Sequence, residues 1–193
     1  MARIGAEERR QDFIEATIKV IAEYGIADAT TRRIAAAANS PLASLHYVFH
    51  TKDELFYAAY ESLIDMPQQL LKQVPKGSTT AESVGEMLRQ LVKWFSAHPE
   101  LATTQFELFF WNMRNNPEMA TKIYAVSIEA TQQAIRKMTG DALDQAALTT
   151  ISRLFLNLVD GLLLAWSAHG DHERLEVETE TACKVVKLLV ASY

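Results

Sequence analysis

The sequence predicts an all-helical chain, on three observations. Apolar residues recur at i, i+3/i+4 and i+7/i+8 in segment after segment, the period of an amphipathic helix. No alternating run rich in β-branched residues stands out, so no strand is expected. Thr followed three residues later by Glu occurs at Thr51–Glu54 and Thr79–Glu82, the pattern of a capping box, and Gly or Asn stands where the apolar stripes stop.

The elements follow in order. Phe13, Ala16, Val20, Ile21 and Tyr24 make the first stripe, and Gly25 is placed to end it. Thr30 is placed to cap a second helix carrying Ile34, Ala35 and Ala38. Asn39 tolerates the left-handed backbone of a tight turn and closes that helix. Ser40 as N-cap and Pro41 at the first helical position are expected to open a short third helix. The capping box at Thr51 starts a fourth, through Leu55, Phe56, Ala59 and Leu63, with Pro67 a candidate kink. "PKGSTT" is the most loop-like stretch, and Thr79 then opens a helix through Met87, Leu88, Leu91 and Trp94-Phe95. Four further helical stretches are punctuated by "NNP", "TGD" and "HGDH".

Composition narrows the class. A chain of 193 residues, 49% hydrophobic and 22% charged, suits one large globular domain or two small ones. The single Cys183 forbids an intrachain disulfide and fits a reducing compartment. The opening "MARIGAEERRQDF" lacks the apolar core of a signal peptide, and no run was expected to be long and charge-free enough to span a bilayer. A cytoplasmic location is expected. The net charge of −5 excludes unspecific coating of nucleic acid by the whole molecule. Arg3, Arg9, Arg10, Lys19, Arg32, Arg33 and Lys52 are roughly balanced by nearby acids, so any nucleic-acid contact must come from a local arrangement.

Such an arrangement lies between Thr30 and Phe49, which fits a short helix-turn-helix. In that motif the first helix crosses the DNA backbone and the second puts its N-terminal residues into the major groove. Thr30, Thr31, Arg32 and Ser40 fall at helix N-termini, where free amides and the dipole favour a phosphate. Arg32 and Lys52 add full charges, Ser44, His46 and Tyr47 offer donors to phosphates or base edges, and Leu42 and Ala43 suit thymine methyls. Thr30 and Thr51 serve as structural caps in any case. Leu45 and Phe49 are expected in the core, and Arg33 and His50 on the solvated surface. The helix is poor in Arg, Asn and Gln, so Leu42, Ala43 and DNA shape are expected to carry much of the discrimination.

The stretch Arg9–Leu55 resembles the DNA-binding domain of the TetR family of transcriptional regulators. The matching elements are Gly25, Thr30, Ile34-Ala35, "SPLASLHYVF" and Thr51-Lys52-Asp53-Glu54-Leu55, about a quarter of the chain. Asn39 stands where Gly is usual in that family, His46 where Tyr is usual, and Val48 where an aromatic or His often sits. The resemblance implies DNA contacts at Thr31, Arg32, Ser44, His46, Tyr47 and Lys52. It implies a helix-turn-helix domain over 1–50, a connecting helix and linker over 51–75, and a ligand-binding and dimerisation domain over 76–193. The partners so implied are double-stranded operator DNA, a small-molecule effector and a second copy of the chain, with no cofactor and no membrane. Effector binding would release the operator by shifting the fourth helix and so the spacing of paired recognition helices.

In the C-terminal part, Ile151, Leu154, Leu158, Leu162 and Trp166 form one stripe, and Phe155, Leu163 and Leu164 leave that helix apolar nearly all round. Val177, Val185, Val186, Leu188, Leu189 and Val190 enrich the last helix, so the final pair could form a four-helix interface with a symmetry mate. "QFELFFWNMRNN" is the best pocket candidate: Phe106, Phe109, Phe110, Trp111 and Met113 cover too many faces for one packing surface. Trp94, Phe106, Phe110, Trp111, Asn112, Tyr124 and Asn157 are the candidate effector contacts, and their aromatic character favours an apolar or aromatic ligand. Asp160-Gly161-Leu162 recurs in many family members and would serve close packing as readily as ligand contact. Enzyme chemistry finds little support. His169, Asp171 and His172 do not make a metal site, Cys183 is not marked as a nucleophile, and no phosphate-cradling Gly loop occurs. A helical adaptor that binds protein and not DNA is the alternative, but it leaves the arrangement of caps and cations unexplained.

Overall fold

In the first helix, Phe13, Ile14, Thr17, Ile18, Val20 and Ile21 are all buried, so one face of α1 (Ala6–Tyr24) is a core face as its stripe requires. It stops where Gly25 takes φ 77°, a backbone open to glycine, and donates to Ile21 O. The computed structural model describes residues 5–71 and 79–193, the side chains of 66–71 excepted. Residues 75–78 of the predicted loop lie outside the described residues.

A 3₁₀ turn at Ile26–Asp28 leads into α2 (Thr31–Ala37), then α3 (Leu42–Val48) and α4 (Lys52–Leu71). After these come α5 (Thr80–Ala97), α6 (Pro99–Asn115), α7 (Pro117–Thr139), α8 (Gln145–His169) and α9 (His172–Ala191). The architecture is all-α, with no strand among the described residues. Capping explains most starts: Thr30, Thr79, Asp144 and Asp171 each accept from the backbone N–H three residues on. At α4, Thr51 Oγ1 accepts from Glu54 N–H at 3.1 Å, and the Glu54 carboxylate reaches back to the N–H of His50 at 3.0 Å, one residue further than a capping box prescribes. Asn39 closes the turn after α2 at φ 49°, the left-handed conformation expected of it.

The third helix starts differently from the expectation. Pro41, not Ser40, is its N-cap: it is extended at ψ 141°, and its carbonyl accepts from Ser44 and Leu45. The Ser40 hydroxyl is engaged elsewhere, donating to Ala38 O at 3.2 Å and accepting from Arg9 Nη1 at 3.3 Å. A serine bonded back into its own turn is drawn away from capping the next helix, and the N-cap is the following residue.

Packing groups the chain into two compact units. One comprises Met1–Leu63 with Glu100–Ile123, the other Ile64–Pro99 with Tyr124–Tyr193. In the first of them Glu100–Ile123 packs with the N-terminal helices. In the first unit α1, α2 and α3 pack on one another around Phe13, Ile34, Leu45 and Phe49, each at most 1% exposed. Phe56, Leu55 and Leu63 of α4 and Leu108 of α6 are equally buried. Each such side chain contributes roughly 1.5–3 kcal/mol by leaving water.

The second unit is built on α5, α8 and α9, which pack pairwise. Gly85 lets α5 and α9 approach: a Cβ there would lie 2.5 Å from Lys187 Cε, and the Cys183 thiol donates to Gly85 O at 3.2 Å. Arg89 of α5 forks onto Glu180 of α9 at 2.5 and 2.9 Å and also pairs with Glu86.

Two expectations for α8 need correction. Its core stripe runs through Ile151, Phe155, Val159, Leu163 and Trp166, whereas Leu154, Leu158 and Leu162 are only half-buried. A helix apolar on most sides offers more than one seam, and packing against α5 and α9 selects among them. The same property makes α8 long and apolar enough to cross a bilayer, at 25 residues and mean hydropathy 1.4, contrary to the expectation that no run would be. Much of that window, 44%, is buried inside the protein.

Candidate nucleic-acid interface

The second and third helices present their polar residues on the side away from the core. Ile34 and Ala35 hold α2 down while Arg32 and Arg33 are exposed and Thr31 is partly so. The two arginines differ in freedom. Arg33 Nη1 donates to Asp28 O at 3.3 Å, lies 3.8 Å from the Asp28 carboxylate, and its guanidinium covers the Tyr24 ring at 4.5 Å. Arg32 faces solvent.

On α3, Leu45 is 1% exposed and Tyr47 84%. Ala43 and His46 are also exposed, and Leu42, Ser44 and Val48 are half-buried. Two turns of helix thus hang from Leu45, with Phe49 sealing the end, and offer Ala43, His46 and Tyr47 outward. Ser44 and Tyr47, with Ala43 and Val48, form one wall of a shallow groove of about 540 Å³ whose other wall is Gly5, Ala6 and Arg9 of the α1 start. Arg9 lines this groove, a position that sequence reasoning did not single out. Its signal was the Arg9-Arg10 pair at the head of an amphipathic helix. The two divide the work, because the Arg10 guanidinium lies over the Phe49 ring at 4.9 Å while Arg9 stands in the groove and holds Ser40.

Lys52, the first residue of α4, is less free than a surface lysine. Its Nζ lies 4.7 Å from the Phe56 ring centroid and 4.9 Å from that of Trp111. Burial lowers its pKa below the lysine value of 10.5, against a raising effect from Asp53. The first unit therefore gathers Thr31, Arg32, Leu42, Ala43, Ser44, His46, Tyr47 and Lys52 in one small set of helices. Seven-residue α2 and α3, joined by a turn at Asn39 and backed by α1, are a helix-turn-helix, and the protein is a DNA-binding one by class.

The comparisons with known proteins agree. Residues 13–59 match the family of bacterial regulatory proteins, tetR family. The chain is 29% identical over 178 residues to the nicotine-responsive transcriptional repressor HdnoR of Paenarthrobacter nicotinovorans, covering 89% of this chain and 90% of that one. Among solved structures, the multidrug binding protein EbrR complexed with ethidium superposes with a TM-score of 0.75 at 26% identity, over 94% of this chain and 98% of that one. A TetR-family member from Streptomyces coelicolor A3 gives 0.71 at 26% identity, over the same shares. Residues 13–59 thus carry the match to the tetR-family regulatory domain, and nearly the whole chain is similar to transcriptional regulators.

The candidate effector residues fall in both units. In the first, Phe106 and Phe110 stack with centroids 6.3 Å apart, Phe110 remaining 49% exposed, and Trp111 stands edge-on to Phe56 at 6.2 Å. Asn112 is buried there, its Nδ2 donating to Leu108 O at 2.7 Å and its Oδ1 without a partner. In the second, the Tyr124 hydroxyl donates to Asn157 Oδ1 at 3.1 Å, and Trp94 stacks on His98 at 4.7 Å. Of the histidines near the α8–α9 turn, His169 Nδ1 accepts from Asp171 N–H and His172 packs against Trp166. No cluster that could hold a metal occurs among the described residues.

Proposed function

We propose that this regulator is a cytoplasmic, homodimeric repressor released from its operator by a small apolar or aromatic effector. The carrying observation is the division of α3 into a buried anchor at Leu45 and a presented face at Ala43, His46 and Tyr47. A helix only two turns long, anchored by Leu45 and with half of it facing solvent around a bare tyrosine, suits insertion into a major groove. Thr31, Arg32, Ser44 and Lys52 serve as phosphate contacts, with Leu42 and Ala43 against thymine methyls. The division of labour is thus positioning by the backbone contacts and specificity by a largely apolar helix tip. A gel shift with the chain's own promoter region is the test: a retarded band lost on Tyr47→Ala supports the reading, and no band at low salt overturns it.

Dimerisation fits the apolar groups that α8 and α9 leave uncovered. Leu164 is 50% exposed, Val177 68%, Val185 44% and Leu188 75%. Burying these against a second copy gives the paired recognition helices that two half-sites require. The effector class follows from the aromatic side chains of α6, together with relatives that respond to nicotine or are complexed with ethidium. Its binding shifts the population toward a state in which α4 no longer holds the recognition helices one helical turn apart.

A further inference from the structure

The α6 segment reaches the helices on either side of the helix-turn-helix. Glu107 accepts from the N–H of Ile26, just past α1, at 2.6 Å. One turn further on, Trp111 meets Phe56 of α4 with ring planes at 77°. Asn116, beyond the end of α6, donates from Nδ2 to Asp53 Oδ2 at 3.0 Å. The two rings form a corner, and the Lys52 ammonium lies within 5 Å of both centroids.

We propose that Trp111 is a positioning residue for DNA binding, which with Phe56 holds the Lys52 ammonium where a backbone phosphate will take it. This rests on the reading of Lys52 as a phosphate contact. A lysine on an open surface loses rotamer freedom when a phosphate fixes it. Here the rings fix the stem and attract the cation through their quadrupoles, so much of that loss precedes DNA. The ammonium has three donors on a compact head, and the residue is only half-buried, so the lysine is not sealed from solvent. The same phosphate would meet the free amides at the α4 start. Asn116 meanwhile holds the Asp53 carboxylate, the adjacent acid in sequence. Phe56 is 0% exposed and supports the core, whereas Trp111 is partly exposed, which makes Trp111 the wall that can be removed.

The test uses the full chain and a duplex that it selects from a randomised pool, with affinity measured from about 50 to 200 mM salt. Lys52→Ala should lower the salt slope by about one unit for each bound subunit. Trp111→Leu should weaken binding roughly fivefold, the scale of a cation–π contact, and move the slope the same way. Trp111→Phe should restore most of both. In a Lys52→Ala background, Trp111→Leu should add less than about a twofold change, since the two residues act as one. The proposal is overturned if Trp111→Leu binds like wild type, or weakens binding by one factor in both backgrounds with the slope unmoved. If Lys52→Ala itself changes neither affinity nor slope, the phosphate reading fails and the proposal goes with it. Trp111→Met, which keeps bulk without a π face, is judged by the same criteria should the leucine variant not fold.

Discussion

Leu45 and Tyr47 stand two residues apart on one seven-residue helix, yet Leu45 is 1% exposed and Tyr47 84%. Stability and DNA binding are therefore separable on α3. Leu45→Ala should destabilise the fold by about 2–5 kcal/mol, the cost of a buried leucine and its cavity. Tyr47→Ala should stay within about 0.5 kcal/mol of wild type in urea while weakening DNA binding about tenfold or more. Equal losses of stability in both variants would contradict the division.

Leu42 and Ala43 precede that anchor and are assigned to thymine methyls. Substituting either should change which duplexes are selected from a random pool, and Lys52→Ala should weaken all duplexes alike. A selected preference dominated by Ser44 or His46 contacts would reverse the assignment.

Glu107 is joined to Ile26 across 81 residues of sequence by one carboxylate–amide hydrogen bond. Glu107→Ala leaves that amide unpaired and should cost about 1.5 kcal/mol in urea unfolding, while Glu107→Gln, which keeps an acceptor, should cost less. Equal stability of the alanine variant and wild type would mean that water replaces the carboxylate.

Burial pushes the Asp160 carboxyl up from 3.8 to about 6. The sign is the reverse of the usual acid. Below pH 3.8 both states hold the proton and there is no penalty. Between there and about 6 the unfolded chain ionises first, so stability falls as pH rises, and above about 6 the loss is complete. Asp160→Asn should then raise stability at pH 7 by on the order of 3 kcal/mol and flatten this part of the pH profile. A variant no more stable than wild type at pH 7 would show that the carboxylate is solvated or paired.

Leu188, 75% exposed on a single chain, tests the dimer. Leu188→Lys should sediment as a monomer with unchanged helical circular dichroism and bind a two-half-site duplex far more weakly. Dimers that persist would place the interface elsewhere.

The helices were legible because helix formation is local. Stripes of period 3.6 marked α1 and α5, and Gly25, Thr30 and Thr79 marked the end of α1 and the starts of α2 and α5 through hydrogen bonds spanning three or four residues. Leu45 and Phe49 were legible as core on the same ground, since their spacing sets them on one face with Ile34 nearby. The α3 cap was expected at Ser40 and stands at Pro41, and the serine hydroxyl is bonded to Ala38 O and to Arg9, 31 residues earlier. The α8 stripe went astray because a helix apolar on most sides carries no single phase to read.

By itself, then, the sequence determined the all-helical class, the order of the helices and several of their ends, and a helix-turn-helix near the N-terminus. The tertiary structure decided which side of α8 is core, that Glu100–Ile123 packs with the N-terminal helices, that Arg9 lines the groove beside α3, and that Lys52 lies between Phe56 and Trp111. The physical reason is reach. Caps and periodicity act over a few residues, whereas an ammonium in an aromatic corner needs two helices far apart in the chain to meet, and no local pattern encodes that meeting.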